Sequence, residues 1–384
     1  MRETGITMAK LGIGVVGCGN IAATYLRNAA LFPDVEIRAC ADISAEAAKW
    51  RADEFGLRPL PIDALLAADD IDLVLNLTVP NAHFDVSMAA LSAGKHVFTE
   101  KPLATTAALG RLLVEEAHRR GLAIGSAPDT FLGAAGRLAR RLMDEDAIGK
   151  VVTGTAFMMT RGMEHWHPSP QFYYQPGGGP VLDMGPYYIT MLVNLLGPAR
   201  RVLAMHATGE PERLITAPGP TDGTRFSVGT PTTITALLEF VSGATVVAGM
   251  SWDVFRHGNH PIELHGTQGS MRLPDPDTFG GTVSISRRGA AWQDEATSEC
   301  LHGRLNWPYD APDRANYRML GVADLARALA EGRPARASGA LALHVLEVLE
   351  GMLEAALSGA AVHLPERNVR PAPLTEIEAA SLGG

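Results

Sequence analysis

The sequence predicts an α/β protein of two domains: a doubly wound parallel sheet, then an α+β domain with an open, mostly antiparallel sheet. Three observations carry the prediction. From Leu11 onward, short apolar runs alternate with helical patterns, the signature of βαβ units. The first run ends in Gly17-Cys18-Gly19-Asn20-Ile21-Ala22, a glycine-rich step from strand to helix. Beyond residue 130, strand-like runs follow one another through turn residues, with no helix separating each pair. At 384 residues the chain is also too long for one ordinary core.

In order, the first domain reads as a strand at 12–16, a helix at 21–31, a strand at 35–41, a helix at 44–55 and a strand at 73–77. A helix at 82–93, a strand at 96–99, a helix at 105–120 closed by Gly121 and a strand at 122–125 complete a Rossmann-type unit spanning 11–130. The second domain, 131–365, shows strands at 151–160, 201–208, 232–241 and 244–251, the last two joined by Ser242-Gly243 as a tight hairpin. Helices are predicted at 181–196, 322–331 and 339–358, and 211–231, rich in Pro, Gly and Thr, reads as a long surface loop. Residues 366–384 read as a tail, and no internal repeat is visible.

Composition narrows the function classes. With 46% hydrophobic and 20% charged residues and no long apolar run, the chain reads as globular, without a membrane span. The first ten residues lack the features of a secretory signal, and Met8 is an alternative start. Cys18, Cys40 and Cys300 show no paired spacing, which suits reduced thiols in a cytoplasmic protein. A net charge of −9 without a basic cluster argues against a nucleic-acid partner.

The small residues of the glycine-rich turn let the backbone approach a pyrophosphate, whose charge then sits at the helix N-terminus. Gly17, Gly19, Asn20 and Ile21 are therefore candidate cofactor contacts. Asp42 ends the second strand, where a carboxylate accepts hydrogen bonds from the adenosine ribose and repels a 2′-phosphate. No Arg follows it immediately, so NAD is favoured over NADP; the alternative role for Asp42 is an N-cap for the helix that comes next. Farther on, the apolar strand ending at Thr99 stops in Glu100-Lys101-Pro102, which places a cation at the end of a later strand of the same sheet.

The string Gly94-Lys95-His96-Val97-Phe98-Thr99-Glu100-Lys101-Pro102-Leu103-Ala104, with Thr78-Val79-Pro80-Asn81-Ala82-His83, strongly resembles the glucose-fructose oxidoreductase/inositol dehydrogenase (Gfo/Idh/MocA) family, over residues 11 to about 365. The resemblance implies that Thr78, Pro80, Asn81, His83, Glu100 and Lys101 serve the cofactor, that Lys101 stands beside the nicotinamide and the substrate hydroxyl, and that Lys101-Pro102 is cis. It also implies sheet-mediated dimers or tetramers. Gly177-Gly178-Gly179-Pro180-Val181-Leu182-Asp183-Met184-Gly185-Pro186-Tyr187 matches a second family signature, and its spacing puts Asp183 and Tyr187 on one helical face. Many members carry His where this chain has Tyr187. The plainer readings are helix-dipole stabilisation for Asp183 and a core aromatic for Tyr187. The family's aromatic-Arg pair after the sixth strand is replaced by Asp129-Thr130-Phe131-Leu132, so the resemblance carries no substrate contacts over to that segment.

Trp166, His167 and Tyr174, in and just after the run from Arg161 to Pro168, suit a pyranose, which offers apolar C–H faces and hydroxyls needing partners. His165, His167, His257 and His260 lack the carboxylate or Cys partners of a metal site, and Asn316 and Arg318 are further candidates for the substrate site. The expected activity is hydride transfer between NAD and a secondary alcohol of a sugar, sugar derivative or cyclitol. Tyr187 is the expected proton carrier, Lys101 the polarising cation and Asp183 the orienting group. Two rivals stay open: a glycoside hydrolase using retained NAD as an internal redox relay, and a non-catalytic nucleotide or sugar sensor.

Overall fold

The computed structural model describes residues 10–384, so the reading of the N-terminal segment around Met8 falls outside the described residues. The chain divides into two compact units. One comprises residues up to Leu132, Tyr317–Leu343 and Pro371–Gly384; the other comprises Gly133–Asn316 and His344–Arg370.

The first unit is built on β1 (Leu11–Val16), α1 (Asn20–Ala29), β2 (Val35–Ala41), α2 (Ala45–Phe55), β3 (Arg58–Pro59), α3 (Ile62–Ala67), β4 (Leu73–Asn76), α4 (Pro80–Ser92), β5 (His96–Thr99), α5 (Ala107–Arg120) and β6 (Ile124–Ser126). Its six strands run in the order β3-β2-β1-β4-β5-β6, every pair parallel. The central strands are buried on both faces, with Ile13, Val15, Leu73, Val74, Leu75, Val97 and Phe98 all at 0% exposure, which is why they read as continuous apolar runs. Local signals set the helix ends. Ser44 caps α2 through the Ala47 amide, Thr106 caps α5 through Leu109, and Gly56 and Gly121 close these helices in the left-handed region. β3 and α3 escape sequence reading because a two-residue strand and a six-residue helix are too short to show a period.

The second unit holds α6 (Ala134–Asp144), β7 (Val151–Met159), α7 (Pro180–Leu196), β8 (Ala199–Ala207), β9 (Glu212–Leu214), β10 (Arg225–Ser227), β11 (Thr233–Phe240), β12 (Thr245–Ser251), β13 (Ile262–Gly266), β14 (Gly269–Leu273), β15 (Thr282–Arg287) and β16 (Gln293–Ala296). Later in the chain come α8 (Leu320–Glu331) and α10 (Glu376–Leu382), which belong to the first unit, and α9 (Gly339–Ser358) and β17 (Val362–His363), of which β17 and most of α9 belong to the second. Nine strands form one sheet in the order β16-β15-β14-β13-β7-β12-β11-β8-β17. All its pairs are antiparallel except β7 with β12. Along β11 the alternate residues Ile234, Ala236, Leu238 and Phe240 are buried on the face that α7 covers. The predicted loop at 211–231 contains a small antiparallel pair, β9 with β10, whose three-residue strands are too short for a visible alternation.

The first unit starts and stops differently from the sequence reading. The break after Leu132 lies near the expected 130, but α8 and residues Pro371–Gly384 of the expected tail belong to the dinucleotide-type unit. α8 is buried along most of its length. Arg336, at 3% exposure, pairs with fully buried Asp324 at 2.6 Å and with Glu378 of α10 at 2.6 Å, and donates to the Pro373 carbonyl, so the C-terminal segment is tied down by buried charge. Such a bond joins residues far apart in sequence and leaves no periodic trace. Among the described residues no helix is long and apolar enough to cross a membrane.

In the second unit His344 is wholly buried, and its Nε2 accepts the Ala199 amide at 3.1 Å. Burial pushes its pKa down to about 4, against the opposing pull of Glu347. Folding therefore favours the neutral ring, so its contribution is complete above about pH 6.5, the unfolded value, and is lost as pH falls through about 4. The shift corresponds to roughly 3 kcal/mol at about 1.4 kcal/mol per unit. His344→Gln, which retains an acceptor for Ala199, is expected to lose less stability than wild type between pH 7 and 4, measured by urea unfolding.

Candidate functional site

Three loops leave neighbouring strands at the carboxyl edge of the parallel sheet: the glycine-rich turn after β1, Thr78–His83 after β4, and Glu100-Lys101-Pro102 after β5. The sheet order reverses between β1 and β4, and such a switch point opens a crevice for a ligand. Gly17 has φ +101°, and a Cβ there would stand 2.6 Å from the backbone of Leu77. Gly19 faces open space, and as the N-cap of α1 it supplies no side-chain cap. The first amides of α1 are thus left to an anion arriving from outside the fold.

The turn is held from two sides. Asp42 accepts the Cys18 amide at 2.8 Å through one oxygen and the Ser44 amide at 2.9 Å through the other. Since Ser44 caps α2, Asp42 is not the helix cap; each of its oxygens keeps a lone pair for a ribose hydroxyl. Arg51, buried, donates to the carbonyls of Gly19 at 2.9 Å and Cys18 at 3.3 Å and pairs with Glu54. Beside Asp42 opens a cavity of about 560 Å³, whose lining includes Ile43, Pro61 and Asp63 and carries no Lys or Arg. These features fit a dinucleotide, with the adenosine end beside Asp42.

The loop after β4 is organised by Asn76, which the sequence reading does not single out. Its side chain donates to the His83 carbonyl and to Ser87 Oγ, both at 3.0 Å, and accepts from Thr78 Oγ1 at 2.6 Å. Its backbone carbonyl accepts the Glu100 amide at 2.8 Å. The signal available in the sequence is a lone polar residue in an apolar strand. Pro80 and Asn81 open α4 in exposed positions, as a ligand-facing loop requires.

His83 and Glu100, expected among the cofactor contacts, hydrogen-bond to the chain on either side of Lys101. His83 is 1% exposed; its Nδ1 lies 2.6 Å from the Pro102 carbonyl and its Nε2 3.0 Å from the Thr78 carbonyl. Glu100 accepts the Tyr25 hydroxyl at 2.7 Å and the Lys101 amide at 2.9 Å. Both side chains thus spend their polar atoms on the protein and hold the cis Lys101-Pro102 step at its two ends. Lys101 itself is partly exposed.

In the second unit, Gly179 (φ +90°) caps α7 and Pro180 opens it, with Asp183 in the first turn and Tyr187 one turn later on the same face. Gly185 between them is required by packing: a Cβ would stand 2.5 Å from Leu349. Tyr187 is 7% exposed and Asp183 more open. Trp166 is 54% exposed and meets His167 edge to face. His167 Nδ1 accepts the Ser169 amide at 3.0 Å, with Phe172 and Tyr173 packed around the ring.

Tyr174 differs from the expectation of a substrate contact. It is fully buried, and its hydroxyl donates to Glu164 and accepts the Met163 amide at 3.0 Å. Burial, then the Glu164 hydrogen bond, raises its pKa. Arg213 pairs with Glu164 at 3.1 Å and with Asp253, completing a buried network that anchors the Trp166 loop. Asn316 exchanges hydrogen bonds with Asn306. Among the described residues no group of three or more His, Cys, Asp and Glu could hold a metal ion.

A family model described as "Oxidoreductase family, NAD-binding Rossmann fold" matches residues 11–127, and the GFO/IDH/MocA C-terminal domain matches 137–272. Levoglucosan dehydrogenase of Pseudarthrobacter phenanthrenivorans is 24% identical over 94% of this chain and 99% of its own length. A dTDP-3,4-didehydro-2,6-dideoxy-alpha-D-glucose 3-reductase of Streptomyces antibioticus is 29% identical over 73% of this chain and 82% of its own. Among solved structures, an NAD binding oxidoreductase from Klebsiella pneumoniae aligns with a TM-score of 0.80 at 23% identity, covering 94% of this chain and all of that one. That likeness is one of fold.

Replacing Gly17 with Ala adds a Cβ in a left-handed conformation against the backbone. The strain, of the order of 1–2 kcal/mol before any clash, is relieved by moving the turn. NADH affinity, read from fluorescence titration, is expected to fall tenfold or more.

Proposed function

Because the chain belongs to the Gfo/Idh/MocA family of NAD-binding oxidoreductases, whose curated relatives here are sugar dehydrogenases and reductases, we propose that it oxidises or reduces a sugar, sugar derivative or cyclitol at a secondary carbinol, with NAD as the hydride carrier. The observation that carries this reading is Lys101, fixed at both flanks of its peptide at the carboxyl edge of the dinucleotide sheet. NAD, when bound, supplies the hydride acceptor or donor. The chain's residues must then bind the alcohol, polarise its oxygen and carry its proton.

In the oxidative direction the C–H bond breaks with both electrons leaving as hydride, and the O–H proton passes to Tyr187. A tyrosine, ordinarily titrating near 10, accepts that proton as its phenolate, which mildly alkaline conditions favour, and Lys101 is assigned the task of polarising the hydroxyl. Asp183 orients the alcohol. Trp166 offers an apolar face to a pyranose ring, and His167 a polar edge. The preference for NAD over NADP is supported by the Asp42 carboxylate, by the absence of Lys and Arg from the lining of the adjoining cavity, and by Arg51 being committed to backbone carbonyls and Glu54.

The uncovered face of the nine-stranded sheet supports self-association. Leu203 of β8 pairs with Leu237 of β11, and both are 42% exposed, while Met205 is 79% exposed. We assign this face to a dimer or tetramer contact.

The first test is NADH formation from NAD or NADP across free sugars, glycosides and inositols at mildly alkaline pH. Signal with NAD on one substrate class is the expected result. Lys101→Met is expected to lower turnover at least a thousandfold while NADH affinity changes less than about threefold; retained turnover would end the mechanism. Asp42→Ala should cut the NAD-over-NADP ratio in kcat/KM tenfold or more. Cleavage of a chromogenic glycoside without net NADH would instead point to the internal relay. Separately, Met205→Glu with Leu237→Lys is expected to lower the mass measured by light scattering to that of a smaller assembly.

A further inference from the structure

We propose that Tyr25 is a positioning residue for Lys101, acting through Glu100, so that the helix opened by the glycine-rich turn also sets where the lysine stands. The inference rests on the reading of Lys101 given above. Tyr25 lies within α1 and is fully buried. Its hydroxyl donates to one oxygen of Glu100 at 2.7 Å, and the other oxygen receives the Lys101 amide at 2.9 Å. The path from α1 to the lysine backbone is thus two charge-assisted hydrogen bonds through one carboxylate, 9% exposed.

The surroundings keep this path in one state. Tyr25 is held as a donor because burial, and then the charges of Glu100 and Asp129, push its pKa well above the ordinary phenol value. It is therefore not an acid or base in the pH range of turnover, and its hydroxyl has a purely orienting task. Asp129, 1% exposed, accepts the Gly321 amide at 2.8 Å; burial pushes its carboxyl up to about 6, while the Gly321 amide and the nearby Arg318 pull it down. In the sequence, Asp129 reads only as a family departure and Arg318 as a candidate substrate contact. Their charges act on this cluster within the first unit.

A reacting group displaced by about 1 Å can lose a hundredfold in rate, since alignment supplies much of the acceleration. Removing the Tyr25 hydroxyl cuts the tie between α1 and Glu100, so the carboxylate that accepts the Lys101 amide loses the bond that fixes its other oxygen. The dinucleotide contacts of the turn, which depend on Gly17, Gly19 and Asp42, remain.

The test compares wild type, Tyr25→Phe, Glu100→Gln and the double variant, with turnover, NADH affinity and thermal midpoint measured on each. Tyr25→Phe is expected to lower kcat ten- to a hundredfold, with NADH affinity within about threefold of wild type. The double variant should be no slower than Glu100→Gln alone, since both changes break one path. Unchanged kcat, additive losses, or a kcat loss matched by loss of NADH affinity or of folding would each overturn the inference. A readout independent of turnover separates it from the substrate assignment: the NMR signal of reductively 13C-methylated Lys101, identified by its absence in Lys101→Met. Tyr25→Phe should shift and broaden that signal and leave other lysines unmoved, and an unmoved Lys101 signal overturns the inference. Wild type silent across the substrate panel, with the Lys101 signal still responsive, would refute the proposed reaction and leave the positioning intact.

Discussion

The first unit depends on a close approach of two backbones. β1 and β4 are neighbours in the sheet, and where their chains leave its carboxyl edge, the turn at Gly17 passes so near Leu77 and Thr78 that no side chain fits between them. That contact sets the glycine-rich turn beside the loop built on Asn76. Asn76 in turn binds the strand-end segment at Glu100. Three loops from three adjacent strands are therefore locked together by short backbone contacts and one buried amide side chain, before any ligand is considered.

This arrangement imposes a division of labour among polar groups. Among the small residues and polar groups whose room or bonding capacity a ligand would use, Gly19, Asn20 and Asn81 are exposed, and Asp42 and Lys101 partly so. Tyr25, Arg51, His83 and Glu100 are buried and spend their bonding capacity on the chain. A buried polar group without a partner costs about 1–3 kcal/mol, so such residues persist where each has a defined mate. The same division recurs in the second unit, where Tyr174, Glu164, Arg213 and Asp253 satisfy one another beneath a loop that leaves Trp166 in the open.

Sequence reading succeeds where the physical cause is local. The parallel strands are legible because strands buried on both faces must be apolar throughout, and the caps at Ser44, Thr106 and Gly121 because each acts within a few residues. Residue type and position pick out the candidate residues, and the glycine turn, Asp42 and Lys101 lie where their motifs put them. Roles are less legible. Glu100, His83 and Tyr174 are polar residues beside a site in sequence, and only their partners distinguish a ligand contact from a support. β3, α3, β9 and β10 leave no trace because periodicity needs length.

By itself, the sequence determined the two-domain α/β plan, the family, the cofactor class and the lysine on which the chemistry is proposed to turn, since all of these are written in contiguous motifs and short-range periods. Tertiary structure alone decided that α8 and the C-terminal segment complete the first unit, that Tyr25 reaches Glu100 across 75 positions, and that Asp129 and Arg318 join that buried charge cluster. The physical reason is the same in each case: these are single contacts between distant segments, made possible by burial, and burial is a property of the folded chain.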